Sequence, residues 1–520
     1  MNKFRKIIAV ISAILMLLPV FSLMIIAEEQ SNIPTIFLDG IGSSDTVNGE
    51  GDVVFPPQAG NILDAVKDAI LPLMGSLVTG DYTSCEDDLS VAVQKMFDEI
   101  AMDENGVSAT DADTAYVRPT PEEIRETVAK TEHNDKYDYI WYSYDWRYDM
   151  QTLAGDFHDF IEYVLDATGA RKVNVIAFSM GTAVLMTYLH DYDYQYINNF
   201  VLLGGAFNGV NSCGDSFSGN ITFSGTAFAH FFTGLTGDNF GGKLLDALLV
   251  ALYEMGLFNG VADLGTKIVD QTMDYLYENG LALTFGRMPG LWALMAPESY
   301  DPAKEKLLEG SGVSDEFIAK IDYYHDEIQA NNETILNGAL AKGVNWAIVG
   351  KYGYTIPPVT GEPNELGDGV IEGRFESCGA TIALAGETLG DDYVQAVDDG
   401  HNHISADNIV DASTCAFPEN TWMIKNSWHD DNFTAILGLI DWLLAHEDAQ
   451  ATVWEDNKYP QFLIYTKTSE TLEPLTEEND VSGYAEVSEE PPGVLGFFRS
   501  ILNLIFRIFN TIKTAVSAAT

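Results

Sequence analysis

A short strand that runs directly into a helix at a serine is the feature that most constrains this chain. Residues 173–181 read VNVIAFSMG, and a helical pattern follows at once over residues 182–190. The turn between them would lift the Ser179 hydroxyl above the edge of a sheet, where the start of the helix favours developing negative charge. Small residues are needed two positions before and after the serine, and Ala177 and Gly181 meet that demand. The stretch predicts a nucleophilic serine, and a buried serine at an ordinary strand–helix junction is the alternative.

Strand patterns alternate with helical patterns on both sides of this stretch. Strands are predicted at 34–39, 137–144, 200–203, 344–349 and 422–425, and further helices at 156–168 and 433–446. This alternation indicates βαβ units and a mostly parallel sheet. The sequence therefore predicts an α/β catalytic domain over residues 28–450.

The charge balance excludes one class of partner. Acidic residues outnumber lysine and arginine by 78 to 27, which gives a formal net charge of -51. Such a surface repels nucleic acid, so we exclude nucleic-acid binding. A hydrophobic content of 46% with 11% aromatic residues is typical of a globular protein.

Residues 1–27 have the charge order of a secretory signal peptide. Lys3, Arg5 and Lys6 precede an apolar run that ends at Ala27, and two glutamates follow it. This order predicts a secreted or cell-surface protein that is cleaved after Ala27. Because the run is long, an uncleaved signal anchor is the alternative.

A nucleophilic serine needs a carboxylate and a histidine, which follow it in that order when a strand–turn–helix carries the serine. The acid should lie in the loop after a later strand. Asp368 stands between two glycines in the loop that follows the strand at 344–349, and flanking glycines let its carboxylate turn inward. Asp368 is therefore the predicted acid, with Asp407 and Asp411 as alternatives.

The base should lie between the last strand and the last helix of the domain. His429 follows the strand at 422–425 and precedes the helix at 433–446. His403 is the second candidate, but it lies before that strand. The predicted oxyanion donors are the backbone N–H of Met180, next to the serine, and that of Ile41, in the glycine-rich loop after the first strand.

The chain resembles the lecithin:cholesterol acyltransferase-like group of α/β-hydrolases, which includes related acyltransferases and bacterial lipases. The resemblance covers roughly residues 30–445 and rests on four features, namely LDGIGS from Leu38 to Ser43, the tetrapeptide Tyr144, Asp145, Trp146 and Arg147, the turn at Ser179, and Asp368 between two glycines. It implies an α/β-hydrolase fold, and it places the tetrapeptide beside the active site near a lid. Ala177 and Asp39 depart from the family, since glycine and proline are more usual there.

Two regions outside this pattern carry further expectations. Leu, Phe, Tyr and Met recur at helical spacing within residues 208–342, where many hydrolases insert a helical cap over the active site, although ordinary helix packing produces such stripes too. Residues 451–492 are predicted to be an extended acidic linker. Residues 493–520 are predicted to form an amphipathic helix, and the basic, apolar stretch 494–516 suits a peripheral membrane contact or docking on the chain's own domain.

Together these features predict an exported serine hydrolase that cleaves or transfers acyl groups of carboxylic esters, with lipids as the expected substrates. Neither a metal ion nor an organic cofactor is required by this chemistry. A non-catalytic surface-binding protein on the same scaffold, and an amidase or peptidase with the same triad, are the alternatives. Cys378 and Cys415 are the favoured disulfide pair, although all four cysteines could be free buried thiols.

Overall fold

The fold is described from a computed structural model. The structure describes residues 33–57, 67, 69, 72–130, 139–236, 240–308, 311–430, 433–446, 449–485 and 487. The predicted signal peptide and the predicted amphipathic helix at 493–520 lie outside these residues.

A mostly parallel sheet of eight strands forms the centre of the described chain, which confirms the predicted sheet. Its strands, in the numbering used below, are β1 (Thr35–Leu38), β5 (Ile140–Tyr142), β6 (Val173–Phe178), β7 (Ile197–Leu203), β8 (Asn345–Tyr352), β13 (Thr421–Lys425), β14 (Phe462–Thr466) and β15 (Thr471–Pro474). They lie in the order β15-β14-β13-β8-β7-β6-β1-β5. Neighbouring strands are parallel except for the edge pair β14 and β15.

The remaining strands are short and belong to small antiparallel sheets. They are β2 (Thr46–Val47), β3 (Val53–Phe55), β4 (Asp113–Thr114), β9 (Tyr354–Thr355), β10 (Leu366–Gly367), β11 (Thr381–Ile382) and β12 (Val410–Asp411).

Helices surround the sheet on both faces. They are α1 (Glu86–Phe97), α2 (Pro121–Lys130), α3 (Met150–Thr168), α4 (Gly181–Tyr192), α5 (Asn211–Ser218), α6 (Gly225–Gly234), α7 (Phe240–Glu254), α8 (Leu257–Leu276), α9 (Pro289–Trp292), α10 (Pro297–Ala303), α11 (Asp315–Tyr323), α12 (Asn332–Ala341), α13 (Gly373–Glu376) and α14 (Thr434–Leu444). Helix α3 begins six residues before its predicted start, because Asp149 caps its N-terminus by accepting a hydrogen bond from the Thr152 N–H.

The core has two layers because successive side chains of a strand point to opposite faces. On β7, Leu202 faces the larger layer, where α3 and α4 pack. Val201 and Leu203 face the other layer, where α14 packs through Ile436 and Ile440. Strands buried on both faces explain why β6 and β8 read as nearly continuous apolar runs.

The structure corrects the prediction that residues 451–492 are a linker. The segment supplies two strands of the central sheet, because β14 pairs with β13 and β15 pairs with β14. The strand at Thr421–Lys425 is therefore followed by two more strands. The sequence missed them because the apolar run FLIYT is short and lies in an acidic surrounding.

Residues 480–485 run from the sheet to the helical block between β7 and β8. Asp480 forms an ion pair with Lys425 at the end of β13, and the Asn426 side-chain amide donates to the Val481 carbonyl (2.8 Å). Further along, the Ala485 N–H donates to the Thr233 hydroxyl on α6 (3.1 Å). We call residues 480–485 the C-terminal strap.

Two other expectations concern the membrane and the cysteines. Within the part of the chain that the structure describes, no single helix is long and apolar enough to cross a membrane, although the bent pair Leu245–Glu254 and Leu257–Leu281 meets the criteria jointly. All four cysteines are free thiols in the structure, including the favoured pair Cys378 and Cys415.

Candidate active site

Ser179 lies at a sharp turn between β6 and α4. Its φ of 53° is in the left-handed region, which few residues other than glycine adopt. The turn is held by the Ser179 N–H, which donates to the Leu203 carbonyl (3.1 Å), and by the Ser179 carbonyl, which accepts from the Thr182 N–H (3.0 Å). A side chain at Gly181 would place its Cβ 2.5 Å from the Leu38 carbonyl oxygen. The close passage of β1 therefore demands a residue without a side chain at that position.

The structure brings Ser179, His429 and Asp368 together from three separate loops. The His429 Nε2 atom lies 2.9 Å from the Ser179 Oγ, and its Nδ1 atom forms a short hydrogen bond with Asp368. With the proton on Nδ1, the ring donates to Asp368 and accepts from the serine hydroxyl. This is the arrangement by which a histidine can take the hydroxyl proton.

Asp368 is fully buried and held in one orientation. Its second carboxylate oxygen accepts from the N–H groups of Val370 (2.9 Å) and Ile371 (2.8 Å). Burial by itself raises the pKa of Asp368, but His429 and the Lys351 ammonium outweigh burial and lower that pKa to about 2. The residue is therefore a carboxylate at neutral pH.

The alternative acids and the alternative base lie in other networks. His403 is buried between the side chains of Gln461 (2.7 Å) and Asp399 (2.9 Å). Asp407 accepts from Lys425, and Asp411 accepts from the Tyr393 hydroxyl and from backbone N–H groups. None of the three is bonded to Ser179 or His429 in the described structure.

The loop after β1 runs directly over the serine. A Cβ atom at Gly40 would lie 2.7 Å from the Ser179 Cβ and 3.1 Å from its Oγ. Asp39 turns back so that its carboxylate accepts from the Gly40 N–H (2.9 Å), and burial raises the pKa of that carboxyl group. With the Gly40 N–H engaged, Ile41 offers the next amide of the loop. Among the described residues, neither the Ile41 N–H nor the Met180 N–H has an assigned acceptor.

The tetrapeptide from Tyr144 to Arg147 lies behind this loop, outside the cleft. Arg147 is fully buried and makes a two-pronged ion pair with Asp145 (2.9 and 2.6 Å). Its guanidinium also donates to the carbonyls of Ile100 (3.1 Å) and Ala112 (2.7 Å). The pair thus fixes the position of the chain around residues 100–112.

The other two tetrapeptide residues contact neighbouring segments. Trp146 packs against the Phe55 ring, with 5.0 Å between ring centroids. Burial, and secondarily Asp39, raises the pKa of Tyr144 well above its usual value. The Gly290 N–H donates to the Arg147 carbonyl (3.1 Å), and Leu291 next to it lines the cleft. The tetrapeptide therefore supports the loop after β1 and one wall of the cleft.

A cleft of about 680 Å³ opens over Ser179 and His429. Its apolar walls are Trp141, Phe178, Ala206, Val210, Leu291, Leu294, Val370, Ile371, Trp428 and Phe433, together with Ile41. Asp39 and Asp430 are the charged groups on its lining, and none of the described residues that line it is a lysine or arginine. Six lining residues come from the region between β7 and β8, namely Ala206, Val210, Ser212, Cys213, Leu291 and Leu294, so this region forms one wall of the cleft.

Sequence reasoning missed two buried ionisable residues beside the triad. Lys351 lies near the end of β8 and Glu376 ends α13, and both are fully buried. A lysine inside the apolar strand NWAIVGKY was the available signal, since lysine is almost never fully buried without a partner.

Within the residues that the structure describes, no group of three or more histidine, cysteine, aspartate or glutamate side chains could hold a metal ion.

Comparison with known proteins agrees with the architecture. A search of curated proteins finds no match to the chain. Residues 121–241, which include β5, β6, β7 and the turn at Ser179, match the family model described as alpha/beta hydrolase fold. With the mostly parallel eight-stranded sheet and its surrounding helices, this match confirms the predicted fold class and is consistent with a hydrolase. The chain therefore has an α/β-hydrolase fold.

Proposed function

We propose that this protein is an exported serine hydrolase that cleaves or transfers the acyl groups of uncharged carboxylic esters. The observation that carries the proposal is the continuous hydrogen-bonded path from the Ser179 hydroxyl through His429 to the buried carboxylate of Asp368. A serine in a strained turn at the start of a helix, open to an apolar cleft, supports the same chemistry.

The mechanism follows from the positions of these atoms. The Ser179 Oγ attacks the ester carbonyl while the His429 Nε2 takes the hydroxyl proton, and Asp368 stabilises the imidazolium that forms. The N–H groups of Ile41 and Met180 bind the tetrahedral oxyanion, each worth roughly 3 kcal/mol in the transition state. His429 then returns the proton to the leaving alcohol. Water or a second alcohol attacks the acyl-enzyme, which gives hydrolysis or acyl transfer.

The cleft supports an uncharged, apolar acyl group as the substrate. Aromatic and aliphatic side chains form its walls, so transfer of an acyl chain from water would gain about 0.8 kcal/mol per buried CH₂. The carboxyl groups of Asp39 and Asp430 would repel an anionic ester, and no basic group of the described lining would compensate. Lipid esters are therefore the substrates that we propose. The resemblance of the sequence to the lecithin:cholesterol acyltransferase-like group supports the same substrates, and we propose that the chain belongs to that group.

The central test combines a mechanism probe with a substrate series. A fluorophosphonate should label the wild-type protein at Ser179, and S179A should be neither labelled nor active. With neutral p-nitrophenyl esters, kcat/KM should rise with acyl chain length, and esters that carry a carboxylate should be poor substrates. A sharp preference for acetate or butyrate esters would exclude lipids as the substrates but would still agree with esterase activity.

The same experiment separates the alternatives. If the folded wild-type protein is not labelled, the chain is a non-catalytic binding protein on this scaffold. If it cleaves amides as fast as the matched esters, it is an amidase or peptidase.

We also propose where the protein acts. Residues 1–27 would direct export, and residues 494–516 would hold the enzyme at a membrane surface through a basic, apolar face. Helices in the region 208–342 would act as a mobile cap. These proposals rest on sequence, and a jump in activity at the solubility limit of a short-chain ester would support the cap.

A further inference from the structure

Lys351 lies beneath the loop that carries His429. Its ammonium group donates to the backbone carbonyls of Trp428 (3.0 Å) and His429 (2.7 Å). It also lies over the rings of Phe178 and Phe433, 5.7 and 5.6 Å from their centroids. Two hydrogen bonds from one fixed cation to successive carbonyls restrict the backbone at His429, and with it the direction of the imidazole.

Glu376 lies on the other side of the same group of charges. Its Oε2 atom accepts from the Lys351 backbone N–H (2.8 Å). Its carboxyl group and that of Asp368 both face Gly204, where a Cβ atom would lie 3.6 Å from the Asp368 Oδ2 and 3.8 Å from the Glu376 Oε2. The two buried carboxyl groups are therefore neighbours and interact directly. Two buried carboxylates in contact would repel each other strongly, so one of them must be protonated.

The environments of the two acids decide which one is protonated. Asp368 accepts two backbone N–H groups and faces His429, all of which favour its charged form. Glu376 has one backbone N–H and the Asp368 charge beside it, so burial first, and then Asp368, raises the pKa of Glu376 well above its usual value. With Glu376 neutral, the ammonium of Lys351 balances the carboxylate of Asp368, and the buried cluster has no net charge while His429 is neutral.

Given the proposed serine-hydrolase function, we propose that Lys351 and Glu376 are positioning residues of the triad. Lys351 holds the backbone that carries His429, and Glu376 is an uncharged acid whose O–H donates to Asp368. Neither group contacts the substrate. Their effect is to keep the His429–Asp368 hydrogen bond aligned and to leave the transferred proton as the only new charge in the cluster.

Glu376→Gln tests the charge of the glutamate. The amide has the shape of the protonated acid, keeps an N–H donor and an oxygen acceptor, and cannot carry a charge. We expect Glu376→Leu, which removes the donor to Asp368, to slow fluorophosphonate labelling of Ser179 by about tenfold, and a rate like that of wild type in this variant would overturn the role of Glu376. Glu376→Gln, which keeps an N–H donor, should restore labelling to within about threefold of the wild-type rate, with an unchanged pH profile. If Glu376 were ionised, removing its charge would move the acidic limb of the profile to lower pH by about one unit, which would overturn the proposal.

Lys351→Met tests the positioning of the histidine loop. We expect labelling to slow by about tenfold or more, and the acidic limb to move to higher pH, because the variant loses both the hydrogen bonds and a positive charge. Lys351→Gln keeps an N–H donor without the charge. If Lys351→Met does not fold, the labelling rate of Lys351→Gln tests the positioning role of the lysine. The matched control is Lys425→Met, which removes a buried lysine from the neighbouring strand and should leave the labelling rate unchanged. A labelling rate within about threefold of wild type in both Lys351 variants would overturn the proposal.

A spectroscopic measurement separates this proposal from the proposed function. The His429 Nδ1 proton, bonded to Asp368, should give a downfield proton resonance that is absent from His429→Gln and needs no turnover. We expect it to persist in Glu376→Gln and to be lost in Lys351→Met. If wild-type Ser179 resists labelling, the proposed function fails, and this resonance still decides the positioning roles. An unchanged resonance in Lys351→Met would contradict the role of the lysine.

Discussion

Adding one methyl group at Gly40 should remove most of the activity without unfolding the protein. The new Cβ would lie 2.7 Å from the Ser179 Cβ, whereas carbon atoms in contact are about 3.5–4.0 Å apart. The loop or the serine must therefore move by about 1 Å, and the Ile41 N–H would move with the loop. Loss of one oxyanion donor lowers kcat by about 10²–10³. We expect a decrease of that size in Gly40→Ala.

The assay is hydrolysis of a short neutral ester, with KM and the melting temperature measured on the same samples. KM should change much less than kcat, because the donor acts on the transition state. Gly75→Ala is the matched control, since a Cβ there has no heavy atom within 4 Å. If Gly40→Ala keeps a kcat within about threefold of wild type, the loop after β1 does not supply an oxyanion donor.

Three further predictions concern stability. Burial, with Glu365 nearby, raises the pKa of Glu372 to about 8 from an ordinary 4.5, so its contribution to stability is complete below pH 4.5 and is lost as the pH rises through 8. Glu372→Gln, which can still accept from the Asn211 N–H, should remove up to about 5 kcal/mol of this pH dependence of the unfolding free energy, measured in urea. Equal slopes of the unfolding free energy against pH in both proteins would contradict it. Arg147→Ala should cost about 3–5 kcal/mol by chemical denaturation, because the Asp145 carboxylate stays buried without its partner, and a loss below 1 kcal/mol would show that the pair is dispensable. Truncation after residue 479 removes the C-terminal strap and should lower the melting temperature. Truncation after residue 490 should leave the melting temperature unchanged and weaken only vesicle binding. A lower melting temperature in the protein truncated after residue 490 would indicate that residues 491–520 dock on the catalytic domain.

Local residue order was sufficient to predict the elements that carry the candidate site. The strand–turn–helix around Ser179 depends on neighbouring residues, because the small residues Ala177 and Gly181, two positions before and after the serine, permit the sharp turn that the structure shows there. Parallel strands place their carboxyl ends at one edge of the sheet, so loops after separate strands could be expected to meet. That reasoning selected Asp368 and His429 out of many acids and nine histidines, and the structure brings both to Ser179. Their catalytic role stays a proposal.

Tertiary structure decided what periodicity and motif order do not encode. Residues 451–492, which contain β14 and β15, were predicted as a linker, because their apolar runs are short and strand pairing depends on distant residues. Lys351 and Glu376 could not be assigned to the site from the sequence, since their importance comes from contacts with residues tens of positions away. Asp145 and Arg147 were placed beside the active site, but packing alone assigned them to support residues 100–112. Burial, charge pairing and sheet edges depend on the whole fold, whereas a turn depends on its immediate neighbours.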